Sequence, residues 1–373
     1  MPACAASKGI PAARPPTRAS SRRCGGTPPG RASAAPAPLD YLWTHQHAFR
    51  WLGGGVSVND HSLSDFRVQH LEFLDDRLTH SVAVLREQQR VDRHRVAQDG
   101  RRVRASAGAA SCRRRPPLEE GLAEAPKQVQ RRRAEREDDP GGGPRRPRQA
   151  QARAARERAE RWRQALARRP ELEAKQKAAE TTKARGSSTD PEATVMKMAA
   201  GGGRPAYNVQ LATATDSQVI VGVELTTSGS DQGQLAPLVE QVYERFGQRP
   251  QEVLVDGGFA SHADITAVSA PDKGCVVYAP VPAPKDPKRE RYTPREGDSP
   301  AVAAWRVRMG SEPAQAIDKD RAAGAECVNA PARHRGLRQW TVRGRLKAIV
   351  LWYAIAHNLR RAVQRRAALV AQS

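Results

Sequence analysis

Three carboxylates stand at positions where a chain of this kind could do chemistry. Asp256 closes the apolar run Val253-Leu-Val255 and is followed by Gly257 and Gly258. An apolar run bounded by turn residues predicts a buried strand of a parallel or mixed sheet. Such a strand delivers its last side chain to the carboxyl edge of the sheet, where open α/β folds place their ligands. Asp256 could equally start a turn, since Asp and Gly both favour one. Asp99 lies in Ala97-Gln-Asp-Gly100, with Val96 and Val103 to either side. That pattern suggests a strand with Asp99 at its middle or end, but Asp-Gly is also a favoured hairpin turn, and on these residues alone the turn is the stronger reading. Glu326 falls in Ala325-Glu-Cys-Val328 on a predicted late helix. Three such carboxylates can hold two magnesium ions roughly 3.5–4 Å apart, one activating a water or 3′-hydroxyl and the other steadying the leaving oxygen of a phosphodiester. Spacing as long as this does not identify a site by itself.

The elements that must position these acids follow from the order of the chain. Residues 1–38 are rich in Ala, Pro, Arg, Gly and Ser with no acidic residue before Asp40, which predicts a disordered basic tail. Residues 39–91 are globular in composition, with an aromatic cluster (Tyr41, Trp43, Phe49, Trp51) and apolar residues near helical spacing. They predict a small helical domain with Asn59-Asp60 at one helix start. His45 and His47 flank Gln46, but without a third ligand they make no metal site. A charged segment at about 113–187, broken by Pro140-Gly-Gly-Gly-Pro144, predicts salt-bridged helices inserted into the following domain. Beyond Asp190, residues 207–213 and 218–226 alternate as a strand hairpin. A helix starting at Asp231, the Asp256 strand, a helix from about Ser261 and a strand at 275–278 follow, then helices at 300–309, 312–329 and 343–365. The order predicts an α/β fold with a mixed sheet flanked by helices.

Composition narrows the partner. The 373 residues carry a formal net charge of +22, so a polyanion is expected and nucleic acid comes first. The five cysteines (Cys4, Cys24, Cys112, Cys275, Cys327) form no Cys-x-x-Cys pair, which argues against a zinc site or a disulfide framework. No apolar run is long enough to span a bilayer. A cytoplasmic, nucleoid-associated protein without a membrane partner is the expectation. Gly201-Gly-Gly203 lacks the Gly-Lys-Ser/Thr of a phosphate loop and reads as a turn.

Several motifs taken together resemble the bacterial insertion-sequence transposases of the DDE class. They are Asp190-Pro-Glu-Ala193, Val195-Met-Lys-Met198, Arg204-Pro-Ala-Tyr-Asn-Val-Gln210, Val255-Asp-Gly-Gly-Phe259, Gly297-Asp-Ser-Pro300, Trp305-Arg-Val-Arg-Met-Gly310 and Arg321-Ala-Ala-Gly-Ala-Glu-Cys-Val-Asn329 with Arg335-Gly-Leu-Arg338. The resemblance spans roughly 39–361. It implies an RNase H-like catalytic domain at 92–366, interrupted by the charged insertion and preceded by a helical DNA-binding domain at 39–91. By motif position, Asp99, Asp256 and Glu326 would be the triad that holds Mg2+ or Mn2+. Asp190 is the second choice for the first acid and Glu312 for the last. Arg321, Arg333 and Arg335 would face phosphates of double-stranded DNA, and a homo-oligomer on DNA is implied. The chain departs from the family in carrying Asp318 where a Tyr is usual, Ala200 where an acid is usual, and a shorter helical domain. The alternative is therefore an inactive, DNA-binding remnant of such a transposase. A related nuclease that cuts without strand transfer is a third reading.

Overall fold

The computed structural model describes residues 36–370 apart from 57, 89–90, 139–144, 175–183, 285, 287 and 345–346. Nearly all of the basic tail predicted at 1–38, and part of the insertion, lie outside the described residues. The first described elements are helices: α1 (Pro36–His45), α2 (His47–Leu52), α3 (Asp60–Gln69) and α4 (Leu71–Glu87). Asn59 caps α3 as its position predicts, its Oδ1 accepting the Ser62 N–H at 2.7 Å. Helix α4 places Leu74, Leu78, Val82 and Leu85 on one buried stripe. That stripe shares its core with Val96, Val103, Tyr207 and Val209 of the sheet and with Ile349, Val350 and Leu351.

The sheet is built around β1 (Arg95–Arg104). Strand β5 (Gly203–Ala214) lies antiparallel beside it, with Asp99 opposite Leu211 and Gly100 opposite Gln210. Strands β4 (Thr194–Lys197) and β6 (Ile220–Thr226) both pair antiparallel with β5. On the other side of β1, β7 (Glu252–Leu254) and then β8 (Val276–Tyr278) run parallel to it. The sheet is thus mixed, in the order β4-β5-β1-β7-β8, with β6 joined to β5. Asp99-Gly100 is strand and not turn. The β1 ladder with β5 runs on unbroken to Arg104, and the next two side chains are tied to carbonyls on other segments: Arg101 donates to Leu337 and Asn329, and Arg102 to Lys197 and Gly229.

Helices complete the layers. Helix α8 (Leu235–Phe246) buries Leu235, Leu238, Val239 and Val242 and ends at Gly247, whose φ of 67° only glycine adopts without strain. Ser261 caps α9 (His262–Val268), and Ser299 caps α10 (Pro300–Met309). Helix α11 (Glu312–His334) runs a turn beyond its predicted end, and α12 (Lys347–Val370) is the last described element. The insertion opens and closes through a two-stranded ladder, β2 (Cys112–Arg113) against β3 (Gly186–Ser187). Between them lie α5 (Arg115–Asp138), α6 (Arg145–Ala167) and α7 (Arg169–Ala174). As its charge pattern predicts, α6 is laced by pairs such as Arg153–Glu157 at 3.5 Å and Arg161–Glu157 at 3.9 Å. Gly121 of α5 lets the Trp162 ring of α6 approach, because a Cβ there would collide with it. No described helix is long and apolar enough to cross a membrane.

Candidate active site

Parallel pairing brings two of the three predicted acids together. Ala97 is in register with Leu254, the last paired residue of β7. Asp99 and Asp256 each lie two residues further on, so the same register sets them side by side on neighbouring strands. Adjacent strands are roughly 4.8 Å apart, and residues two apart share a face. Asp256 stands just past the end of β7, its Oδ1 accepting the Gly258 N–H at 2.7 Å. Electrostatics record the closeness: burial first, then the charge of Asp256, push the Asp99 carboxyl up to about 6. The Gly100 N–H and the charge of Arg321 pull it down, and Asp231 adds a smaller upward push.

Asp231 was not foreseen as part of this group. The sequence places it at a helix start, but α8 begins at Leu235 and its cap position is Gln234. Asp231 instead lies in the connection after β6. Its Oδ1 accepts hydrogen bonds from Asn208 Nδ2 at 2.7 Å and Gln210 Nε2 at 2.8 Å, both from β5. Two glycines make room for the carboxylates. A Cβ on Gly100 would collide with Asp231 Oδ1, and one on Gly258 would lie 2.9 Å from Asp256 Oδ1 and 3.8 Å from Asp231 Oδ2. In the sequence, the signal for Asp231 is the pair of amides at alternate positions in Asn208-Val-Gln210, which share one strand face.

Helix α11 crosses β1 and is fastened there by Arg101, whose Nε donates to the Leu337 carbonyl at 2.9 Å and Nη1 to that of Asn329 at 3.0 Å. Asn329 Nδ2 in turn donates to Asp99 Oδ2. Glu326 stands three residues before Asn329, and helical spacing puts both positions on one face. The Glu326 side chain itself lies outside the described residues. Arg321, on the same helix, is close enough for its charge to act on Asp99, while its Nε sits 3.3 Å from Asp318 Oδ1. Arg333 and Arg335 are exposed at the end of α11. The charge of Arg333 is felt by Arg101 and that of Arg335 by Tyr353.

The second-choice acids are elsewhere. Asp190 is fully buried and accepts the Tyr207 hydroxyl at 2.8 Å. Tyr207 pairs with Val103, four residues along β1 from Asp99, roughly 13 Å away. Glu312 is exposed in the first turn of α11. Cys275 is buried and its thiol pushed up to about 12, so it is a packing residue and no nucleophile. His45 shares a hydrogen bond with the Tyr41 carbonyl at 2.9 Å, and His262 lies against Arg306.

Asp99, Asp231 and Asp256 offer only carboxylate oxygens, the donor type that magnesium and manganese take. Among the described residues no three His, Cys, Asp or Glu side chains are disposed to hold a metal ion as they stand. Compared with known proteins, the chain matches no family model, no curated protein and no solved structure.

Proposed function

We propose that this chain is a DDE-class transposase with an RNase H-like catalytic domain, cleaving DNA strands and joining the freed 3′-hydroxyls to a target. The observation that carries this reading is the placement of Asp99 and Asp256 side by side, each two residues beyond the Ala97–Leu254 pair of two parallel strands. The mixed sheet, and an insertion that leaves after β1 and returns before β4, support it. So does the position of Glu326 one turn from Asn329, the residue that touches Asp99.

In this reading Asp99, Asp256 and Glu326 hold divalent metal ions. Bound there, the ions supply an activated water or 3′-hydroxyl and counter-charge for the leaving oxygen. The chain's own residues prepare that chemistry. Burial and the charge of Asp256 push the Asp99 carboxyl up to about 6, so that a bound cation would relieve the repulsion between the two acids. Asn208 and Gln210 fix Asp231 beside the other acids, and Arg321 offers a guanidinium to a phosphate close to Asp99. The net charge of +22 draws in the polyanionic substrate. Asp256→Ala is expected to abolish magnesium-dependent cleavage of a labelled duplex while leaving its binding intact. Full cleavage by that variant would sink the assignment.

A specific contact favours the second reading, an inactive DNA-binding remnant. Asp318 stands where the family usually has Tyr and pairs with Arg321 at 3.3 Å, which turns that arginine from phosphate toward a neighbouring carboxylate. A parent protein that binds DNA but does not cut, together with an Asp318→Tyr variant that does, would establish the remnant.

A further inference from the structure

One buried cation plays no part in the carboxylate site. Arg93 precedes β1 by two residues, at the far end of that strand from Asp99 and roughly 20 Å away. It is only 8% exposed, yet neither Nη1 nor Nη2 has a hydrogen-bond partner. A guanidinium does not escape burial by losing its proton, so it requires a partner that the described residues do not provide. Its carbon lies 4.5 Å over the Phe246 ring, which takes up one face. Arg93 lines a cavity of about 460 Å³ together with Val82, Arg86, Glu87, Arg245 and Phe246.

The charges around the cavity point to what would fill it. Burial, then the charge of Arg86, holds Arg93 below its ordinary pKa, with Asp92 pulling the other way. Arg86 gives Nη2 to Gln248 at 3.3 Å. Arg245 is paired with Asp75 at 2.5 Å and Thr79 at 2.8 Å, and its Nε has no partner. Glu87 is the one carboxylate among the lining residues. Among the lining residues three cations therefore meet one anion; Arg245 is already paired with Asp75, and the buried Arg93 is the one whose fork of N–H groups is unused. That fork matches two oxygens of a tetrahedral anion.

We propose that this cavity is an oxyanion site, in which Arg93 grips a phosphate group with Arg86 as the second cation and Phe246 as the wall. The phosphate is either free in solution or part of a nucleic-acid backbone. Titrating the full chain with inorganic phosphate, against chloride at matched ionic strength, tests the site by calorimetry and thermal melting. Saturable binding and a phosphate-dependent rise in melting temperature are expected. Arg93→Met should lower phosphate affinity roughly ten- to hundredfold, the range for charge-assisted hydrogen bonds. Without phosphate it should melt above the parent, because an unpaired buried charge has been removed. Absence of saturable phosphate binding, or an unchanged response in Arg93→Met, overturns the proposal. Should Arg93→Met not fold, the exposed Arg86→Met carries the test, and unchanged phosphate affinity there is equally fatal. Duplex binding by Arg93→Met then separates the sources. A weaker duplex complex with a salt slope smaller by about one identifies backbone phosphate, and an unchanged complex identifies the free anion.

Discussion

Asp231 shows what a single side chain contributes beyond its charge. Two amides of β5 hold one of its oxygens, so its carboxylate is fixed beside Asp256 without needing an ion for its orientation. Groups that orient a metal site from behind typically change affinity or activity about 10–100-fold when altered. Asp231→Asn is therefore expected to lower magnesium-dependent cleavage by that range and to raise the magnesium needed for half-maximal rate. A loss as complete as that of Asp256→Ala would instead make Asp231 a direct ligand, and no loss would remove it from the site. Asp256 was legible because its strand is short, apolar and bounded by turn residues. Asp99 sits midway along a ten-residue, arginine-rich strand and is reached only through the family resemblance. Asp231 was not legible, because Ser-Asp ahead of a leucine-rich run looks like a helix start. Its true partners lie some twenty residues away in the chain and meet it only when β5 and β6 pair.

At the scale of elements, α10 illustrates how a loop-to-helix junction is locked. Arg306 and Asp298 are 2% and 5% exposed and lie 2.7 Å apart. Burial alone would push the Asp298 carboxyl up. The hydrogen bond from Arg306, the Arg295 N–H and the charges of Arg306 and His262 outweigh it and hold the carboxyl below its ordinary value. A carboxyl lowered on folding adds stability that is complete above its unfolded pKa, about 3.9, and is lost as pH falls through the folded value. Arg306→Ala leaves the carboxylate buried without its partner and should cost about 3–5 kcal/mol at pH 7. In urea melts that gap should narrow as pH falls towards and then below about 4, as Asp298 takes up a proton first in the variant and then in the parent. A gap that stays constant from pH 7 to pH 3 would show the loss to be one of packing. The helices were largely legible, since Asn59, Ser261 and Ser299 cap as their types predict. The end of α11 was not, because Pro331 sits inside the helix where a stop was expected.

For the whole molecule, strand order could not be read from the sequence, since neither alternation nor apolar runs say which strands are neighbours. The sharing of one core by α4, the sheet and α12 was equally hidden, because residues 39–91 have a composition that suits a separate domain. The excess of positive charge was plain from the start and makes a claim at this scale. If double-stranded DNA is the partner, affinity should fall linearly on a log–log plot against salt, with a slope of about −0.9 per phosphate engaged. A flat salt dependence by fluorescence anisotropy would exclude that partner.

The ladder of β2 and β3 has a consequence for how this chain can be edited. It pairs Cys112 with Ser187 and Arg113 with Gly186, so the polypeptide departs and comes back at adjoining points, like a detour with a common entrance and exit. A shortened insertion that keeps both of these strands is therefore expected to leave β1 and β4 paired with β5 in the same alignment.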